Sequence, residues 1–161
     1  MAMAGAIVSE EGGNWSIFHN PAGITEVDGI HLTVGSGNLY GFKWLPTYNL
    51  SGNIPLPVFG KIGFALQQLE TKYKETTLST EQTLSIAQGF DLQHDKNSHL
   101  AIGYTANFVQ WDLGKSAGMS GDGSDGLELG NINSITIDFG ALASLREKYR
   151  FGVFLKNITS G

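Results

Sequence analysis

The acidic residues of a glycine-rich stretch, residues 114–134, have the types and spacing closest to those of a ligand site. Asp122, Asp125 and Glu128 carry the carboxylate oxygens that Ca²⁺ prefers, although their spacing is not that of an EF-hand loop. Residues 121–126 also match G-x-G-x-x-G, but a dinucleotide site needs this pattern between a strand and a helix. Two carboxylates there would also repel phosphate. A weak calcium site and a plain flexible loop are the two interpretations that this stretch leaves open.

Residues for other site chemistries are missing or badly spaced. The chain has no cysteine, which excludes thiol catalysis and cysteine-ligated zinc. Its histidines, His19, His31, His94 and His99, form neither H-x-x-x-H nor H-E-x-x-H, and no G-x-S-x-G is present. We therefore expect no catalysis, no cofactor and no further metal site. His31 and His99 are expected to be solvated or to face the interior of the fold.

Composition favours a β protein that does not bind nucleic acid. The chain has 161 residues, enough for one domain, with 22 Gly, 9 Phe, 5 Tyr and 3 Trp but only 16% charged residues. Its net charge is -5, and its 10 basic residues are scattered, whereas phosphate binding needs clustered Lys and Arg. No apolar run approaches the roughly 18 residues of a spanning helix. The composition fits either a soluble β protein or a membrane β-barrel.

An alternation of period two indicates about eight antiparallel strands. We predict them at residues 30–34, 39–45, 47–56, 61–67, 82–92, 100–108, 135–141 and 149–157. Turns are expected at 35–38 and 94–97, with a polar hairpin end at 71–81 and a loop at 114–134. One side, the apolar face, carries Ile62, Phe64, Leu66, Leu100, Ile102, Phe108, Ile135, Ile137, Phe139, Phe151 and Val153. The other side, the small-residue face, carries glycine, alanine and small polar residues such as Gly63, Ala65, Ala101, Gly103 and Thr105.

Two architectures can use this alternation. A soluble sandwich buries its apolar face as a core, whereas a membrane barrel turns that face to lipid and lines its lumen with the other. Strands of roughly nine to eleven residues suit a tilted membrane-spanning strand better than a soluble sheet. The rings of Trp15, Trp44, Trp111, Tyr40, Tyr104 and Tyr149 would form interfacial girdles in a barrel and core in a sandwich. Strand length favours the barrel.

An apolar stretch at residues 14–24 precedes the strands and ends in Asn20-Pro21-Ala22-Gly23. Pro21 fixes its own φ and Gly23 permits unusual backbone angles, so the chain must turn here. The large side chains of Trp15, Ile17, Phe18 and Ile24 are costly to leave in water, and small residues such as Gly63 and Ala101 leave room for them. We predict that this stretch packs on the small-residue face. Asn20 is expected to hydrogen-bond a turn or a strand there.

These stretches resemble outer-membrane barrels related to the FadL-type fatty-acid transporters, and most closely the PorV and PorQ-like branch associated with type IX secretion. The resemblance rests on Asn-Pro-Ala-Gly after an aromatic segment and the small residues 4–8, and on Asp138-Phe139-Gly140 followed by residues 150–157. It implies a transmembrane antiparallel β-barrel built as a meander of long hairpins. Residues 1–26 would form a luminal plug and residues 27–161 the strands of one domain. The plug candidates are Trp15, Phe18, Asn20, Pro21 and Gly23.

The resemblance also implies a location and two functions. The chain would lie in the bacterial outer membrane against lipid, its signal peptide lost, as the N-terminal part of a longer barrel. It would either pass hydrophobic compounds or interact with proteins of the secretion machinery. The plug would either gate passage or cap the barrel end. The alternative class is a soluble all-β sandwich that binds carbohydrate or protein.

Overall fold

The chain folds into one antiparallel sheet of seven strands. The computed structural model describes residues 8–9, 13, 15–56, 59–73, 76–116, 118–121, 123–146 and 148–159. The strands are β1 (His31–Asn38), β2 (Pro46–Leu56), β3 (Gly60–Tyr73), β4 (Thr76–Asp95), β5 (Ser98–Asp112), β6 (Asn131–Leu145) and β7 (Tyr149–Leu155). Each pairs with its neighbours in sequence, in the order β1 to β7. The predicted all-β antiparallel meander is confirmed, and the described strands form an open sheet with β1 and β7 at its edges.

Two short helices precede the sheet. Helix α1 spans Ser16–His19, and a 3-10 helix spans Pro21–Glu26. Pro21 suits the first position of that helix because it lacks the N–H that would have no partner there. A further 3-10 helix, Leu39–Gly41, lies between β1 and β2. Within the described ranges, no helix is long and apolar enough to cross a membrane.

The predicted boundaries around β1 are wrong. Residues 35–38 continue β1 and pair with β2 from Asn49 to Pro46, so Gly35 and Gly37 lie in a strand and not in a turn. Residues 39–45 form the connection to β2, where Tyr40 and Gly41 adopt positive φ values of 53° and 78°. Pairing with β2 overrides the weak strand preference of glycine. The sheet therefore has seven described strands where the sequence predicted eight.

The strands are also longer than predicted at one end. Residues 71–81 were expected as a polar hairpin end, but β3 and β4 continue to a pair between Tyr73 and Thr76, with a bulge after Thr71. Threonine is a good strand former, so this polar stretch extends the ladder once its partner strand is in register. The loop predicted from residue 114 ends earlier too, since β6 begins at Asn131.

The predicted separation of the two faces is confirmed. Across the strands, Phe64 pairs with Ile86, and Leu66 pairs with Leu84, so large side chains form rows on the apolar face. The next strands continue these rows, with Leu84 opposite Phe108 and Phe108 opposite Ile135. Most of the predicted apolar-face side chains are exposed, up to 63% for Ile135 and 67% for Phe151. Ile62 and Ile102 are half-buried.

The small-residue face is buried under residues 15–27, which we call the N-terminal segment. Ile17 and Ile24 cluster with Ala65 and Ala87, and Ala22 clusters with Ala101 and Leu142. A Cβ atom added to Gly63 would lie 2.6 Å from Ile17 Cδ1, and one added to Gly89 would lie 2.8 Å from Ile24 Cγ1. The missing side chains are therefore what lets the segment approach the strands.

The small-residue face is concave. Trp15 packs on Gly35 of β1, and the backbone of Val8 packs on Gly152 of β7. Val8 is in turn hydrogen-bonded to Asn20, which follows directly after the single turn of α1. A flat sheet of seven strands would be about 29 Å wide at a strand spacing of about 4.8 Å. Contacts from such a compact unit to both edge strands require the sheet to curve around it.

The two ends of the sheet differ in their connections. The connections β2–β3, β4–β5 and β6–β7 lie at one end, the short-turn end. The connections β1–β2, β3–β4 and β5–β6 lie at the other end, the long-loop end. The N-terminal segment finishes at the short-turn end, because Lys61 at the start of β3 donates a hydrogen bond to the carbonyl of Val27 over 2.8 Å.

Candidate functional site

A cavity of about 630 Å³ lies on the concave face between the N-terminal segment and the long-loop end. Ile17, Phe18 and His19 of α1 border it toward the segment. Its walls come from β3 to β6 and from the residues after β7, and they include Gln67, Glu81, Thr83, Ser85, Asn107, Val109, Ser134, Thr136, Asp138, Lys156 and Asn157. The alternation of period two points these mainly polar side chains inward. The cavity is therefore a polar space with an apolar border.

A hydrogen-bonded network runs along the cavity wall. Asn107 accepts from the hydroxyl of Ser85 over 2.6 Å and donates to the carboxylate of Asp138 over 2.8 Å and to Thr136 over 3.3 Å. The other carboxylate oxygen of Asp138 accepts from the backbone N–H of Asn157 over 2.7 Å. Ser85, Asn107 and Asp138 are all buried. Because both oxygens of Asp138 have donors, the network joins β4, β5, β6 and the chain after β7 into a fixed wall.

Asn20 fixes the N-terminal segment to the sheet. Its side chain is 1% exposed, and its Nδ2 donates to the carbonyls of Val8 over 2.7 Å and Ala141 over 3.1 Å. Its Oδ1 accepts from the N–H of Ala22 over 3.1 Å and so caps the 3-10 helix. The bonds expected of Asn20, to a turn and to a strand, are both present. Both N–H groups and the oxygen of this buried amide have partners, which is the condition for burying it at low cost.

The other plug candidates also lie in the N-terminal segment. Trp15 and Phe18 face each other with ring centroids 5.7 Å apart, and Phe18 packs against the cluster around Ile17. Pro21 and Gly23 are buried within the 3-10 helix, with the backbone of Pro21 over Gly103. Trp15 therefore packs within the N-terminal segment and not among the aromatic side chains exposed on the sheet. Of the expected plug, residues 1–26, the structure describes 8–9, 13 and 15–26.

The two calcium candidates that the structure describes, Asp125 and Glu128, have different surroundings. Asp122 lies outside the described residues. Asp125 accepts from the N–H of Met119 over 3.1 Å and from the N–H of Ser120 over 3.2 Å, so its carboxylate closes the loop on itself. Glu128 instead lines a separate cavity of about 580 Å³, together with Asp112 and Lys115. The calcium site stays a prediction.

We predict that this loop loosens in acid. The hydroxyl of Ser120, followed by its backbone N–H, lowers the pKa of the Asp125 carboxyl. A lowered folded-state pKa means that the stabilisation is present above the unfolded value and is lost as the pH falls through the folded one. Hydrogen exchange of the Met119 and Ser120 amides should therefore speed up at the lowest pH, after correction for intrinsic rates. Ser120→Ala should shift this loss to higher pH, whereas Ser36→Ala on β1 should not.

A cluster of titratable side chains at the short-turn end was not predicted. The structure brings Glu26, His94 and His99 together, with ligand atoms that all lie within 4.8 Å of one another. His99 is buried, which agrees with the interior-facing alternative of the prediction and not with the solvated one. His94 and His99 are direct partners across the β4–β5 hairpin. Their positions on either side of the short turn are the feature of the sequence from which this pair could have been predicted. The alternation already placed Asn107 on the small-residue face, but its hydrogen bond to Asp138 of the neighbouring strand was not predicted.

No family model, no curated protein and no solved structure matches this chain. The class that the fold defines is thus an all-β antiparallel meander with one short segment packed on its concave face.

Proposed function

We propose that this chain forms part of the wall of a bacterial outer-membrane β-barrel, with its apolar face toward lipid and its N-terminal segment in the lumen. The observation that carries the proposal is the inverted distribution of side chains. Large apolar residues are exposed, whereas Gly63, Ala65, Ala101 and Gly103 are buried together with the polar Ser85 and Asn107. Membrane barrels have this arrangement because their outer surface meets hydrocarbon and their lumen is polar.

The apolar face needs a cover in either class of protein. Burying one large apolar side chain is worth about 1.5–3 kcal/mol, and soluble monomers rarely expose contiguous apolar patches above a few hundred Å². A soluble sandwich would supply that cover with a second sheet. The described strands form a single sheet, and the segment outside it packs on the opposite face. In the proposed barrel, lipid supplies that cover.

The two ends of the sheet support a membrane orientation. Outer-membrane barrels have short periplasmic turns, longer extracellular loops and aromatic girdles at both interfaces. Tyr40, Trp44 and Trp111 are exposed near the long-loop end, and Phe59 and Tyr149 are exposed near the short-turn end. The proposal also requires further strands beside β1 and β7, because unpaired backbone groups are very costly in hydrocarbon.

Within this class, we propose passage of a small hydrophobic compound as the function, with the N-terminal segment as its gate. Ile17 and Phe18 offer an apolar border, but the walls of the cavity are mainly polar. An apolar solute would therefore bind only weakly in the cavity as it stands. The proposed gate requires the N-terminal segment to move before the solute can pass.

The second candidate, a role in protein secretion, is favoured by the firm attachment of the segment. Asn20 donates a hydrogen bond to β6, and Lys61 of β3 donates one to the carbonyl of Val27. A segment fixed in this way caps the wall and leaves a stable surface for a partner protein. Deleting residues 13–24 separates the two candidates. A gate predicts increased pore conductance and solute uptake, whereas a cap predicts lower thermal stability with both unchanged.

Labels on neighbouring residues of β4 test the membrane orientation. The chain has no native cysteine, so a single introduced cysteine gives one labelled position. Leu84 is exposed on the apolar face, and Thr83 lines the cavity. In lipid vesicles, a spin label at L84C should collide mainly with oxygen dissolved in lipid, and one at T83C mainly with a water-soluble nickel chelate.

The same alternation should repeat on β5. Labels at F108C and A106C should collide mainly with oxygen in lipid, and a label at N107C mainly with the nickel chelate. Mixed or reversed accessibility on both strands would reject the orientation. A protein that stays monomeric in buffer without detergent, with L84C as accessible to the chelate as T83C, would instead favour the soluble alternative.

A further inference from the structure

The cluster at the short-turn end combines two imidazoles and a carboxylate from distant parts of the chain. His94, near the end of β4, and His99, near the start of β5, are directly paired, with ring centroids 4.9 Å apart. Glu26 is the last residue of the 3-10 helix in the N-terminal segment. The docking of the segment on the sheet is therefore what completes the cluster.

His99 is held with one ring nitrogen directed at Glu26. Its side chain is 7% exposed, and its Nε2 lies 2.7 Å from a carboxylate oxygen of Asp91. Asp91 can only accept when ionised, so Nε2 carries a proton, and Nδ1 of the neutral ring presents a lone pair. That Nδ1 is buried in direct contact with Oε1 of Glu26. A lone pair facing a carboxylate is repulsive, and a positive charge between the two atoms would relieve the repulsion.

The positive charge is either a proton on Nδ1 or a metal ion. A proton on Nδ1 would be shared with Oε1 of Glu26 and would leave exposed His94 outside the interaction. A metal ion uses all three side chains, and Asp91 then supplies the outer carboxylate that commonly orients a metal-binding histidine. Donor atoms on one tetrahedral zinc ion lie about 3.3 Å apart for bonds of about 2.0–2.1 Å. The three donors lie within 4.8 Å of one another, so a zinc ion would need Oε1 of Glu26 to move back from Nδ1 of His99 and exposed His94 to turn inward.

We propose that Glu26, His94 and His99 bind a divalent transition-metal ion of the zinc class. Two nitrogen donors favour zinc over Ca²⁺ or Mg²⁺, which prefer oxygen ligands. The bound ion would join the N-terminal segment to the β4–β5 hairpin. The proposal does not depend on membrane insertion, because its evidence lies within the described chain.

Calorimetric titration with ZnCl₂ tests the site on purified protein that carries no histidine tag. We expect one Zn²⁺ per chain and no competition from excess Ca²⁺ or Mg²⁺. Since losing a ligand should cost at least as much as losing an outer carboxylate, His94→Ala should weaken binding by on the order of tenfold or more. Asp91→Asn should weaken it by about 10–100-fold. His31→Ala is the matched control, an exposed histidine outside the cluster, and should bind as the native protein does.

The melting temperature separates lost binding from lost folding. Metal that binds only the folded state raises the melting temperature, so Zn²⁺ should raise it for the native protein and His31→Ala but much less for His94→Ala. Without metal, His94→Ala should melt as the native protein does, because that side chain is exposed. Equal zinc affinity in His94→Ala and His31→Ala would overturn the proposal, as would no zinc binding at all.

Discussion

Replacing Gly103 with valine is expected to destabilise the protein by about 1–3 kcal/mol and to displace the N-terminal segment. A Cβ atom at this position would lie 2.6 Å from the carbonyl carbon of Pro21 and 2.7 Å from the nitrogen of Ala22. Both are backbone atoms of the 3-10 helix, so no side-chain rotation can relieve the clash. The helix must lift off β5, which would expose Ile24 and Ala22 to water.

Gly37→Val is the matched control. Gly37 also lies in a strand, β1, but an added Cβ atom would meet nothing within 4 Å. Valine favours extended backbone, so this change should be neutral or slightly stabilising. Urea unfolding gives the two free energies. Chymotrypsin cleavage after Trp15 or Phe18 reports displacement of the segment. Equal stability and equal cleavage of the two variants would show that the segment does not rest on Gly103.

The two faces of the sheet could be predicted because their signal is local. Each strand carries its own alternation of period two, so Phe64 and Gly63 can be assigned to opposite faces without knowing any partner strand. The same alternation placed Ala65 and Ala101 where an apolar segment could pack, and the structure places Ile17, Ile24 and Ala22 there. The size complementarity between the bulky segment and the face of small residues could therefore be predicted from the sequence.

The strand ends could not be predicted because they depend on pairing. Residues 39–45 are apolar enough to suggest a strand, yet they form a turn in which Trp44 stacks on Phe42 with ring centroids 5.2 Å apart. Residues 71–81 are polar enough to suggest a loop, yet residues 71–73 belong to β3 and residues 76–81 belong to β4. In both places, the register of the neighbouring strand decides the outcome, and single-strand patterns do not contain that register.

The cluster of Glu26, His94 and His99 was missed for a different reason. Two of its members flank a hairpin turn, which sequence spacing reveals once that turn is assigned. The third arrives from the N-terminal segment, and its position depends on how the 3-10 helix docks on β4 and β5. Motif patterns for metal sites rely on fixed spacing along one element, so they do not detect ligands that only tertiary packing brings together.

Replacing Asn20 with aspartate should have a large effect although the two side chains have nearly the same shape. The amide nitrogen of Asn20 donates to the carbonyls of Val8 and Ala141. An ionised carboxylate cannot donate, so a buried negative charge would face two carbonyl oxygens. Leaving a charge buried without a partner typically costs about 3–5 kcal/mol. The N-terminal segment should consequently detach or the whole protein should lose most of its stability near neutral pH.

The loss should depend on pH in a direction that identifies its cause. Burial and the facing carbonyl oxygens raise the pKa of the introduced carboxyl above its unfolded value of about 3.9. Below that value the group is protonated in both states, and its O–H can donate to one of the two carbonyls. As the pH rises toward the folded-state pKa, the unfolded state ionises first and the folded state is progressively disfavoured.

Urea unfolding of Asn20→Asp at about pH 3 and about pH 8 measures this difference against native protein at the same pH. Asn38→Asp, at the exposed end of β1, makes the same chemical change without burial and should shift stability little at either pH. Asn20→Leu removes the hydrogen bonds without adding charge, so its loss should be similar at both. If Asn20→Asp is no more destabilising at the higher pH than at the lower, then the side chain of Asn20 is not buried against those carbonyls, and the N-terminal segment is held by its apolar contacts alone.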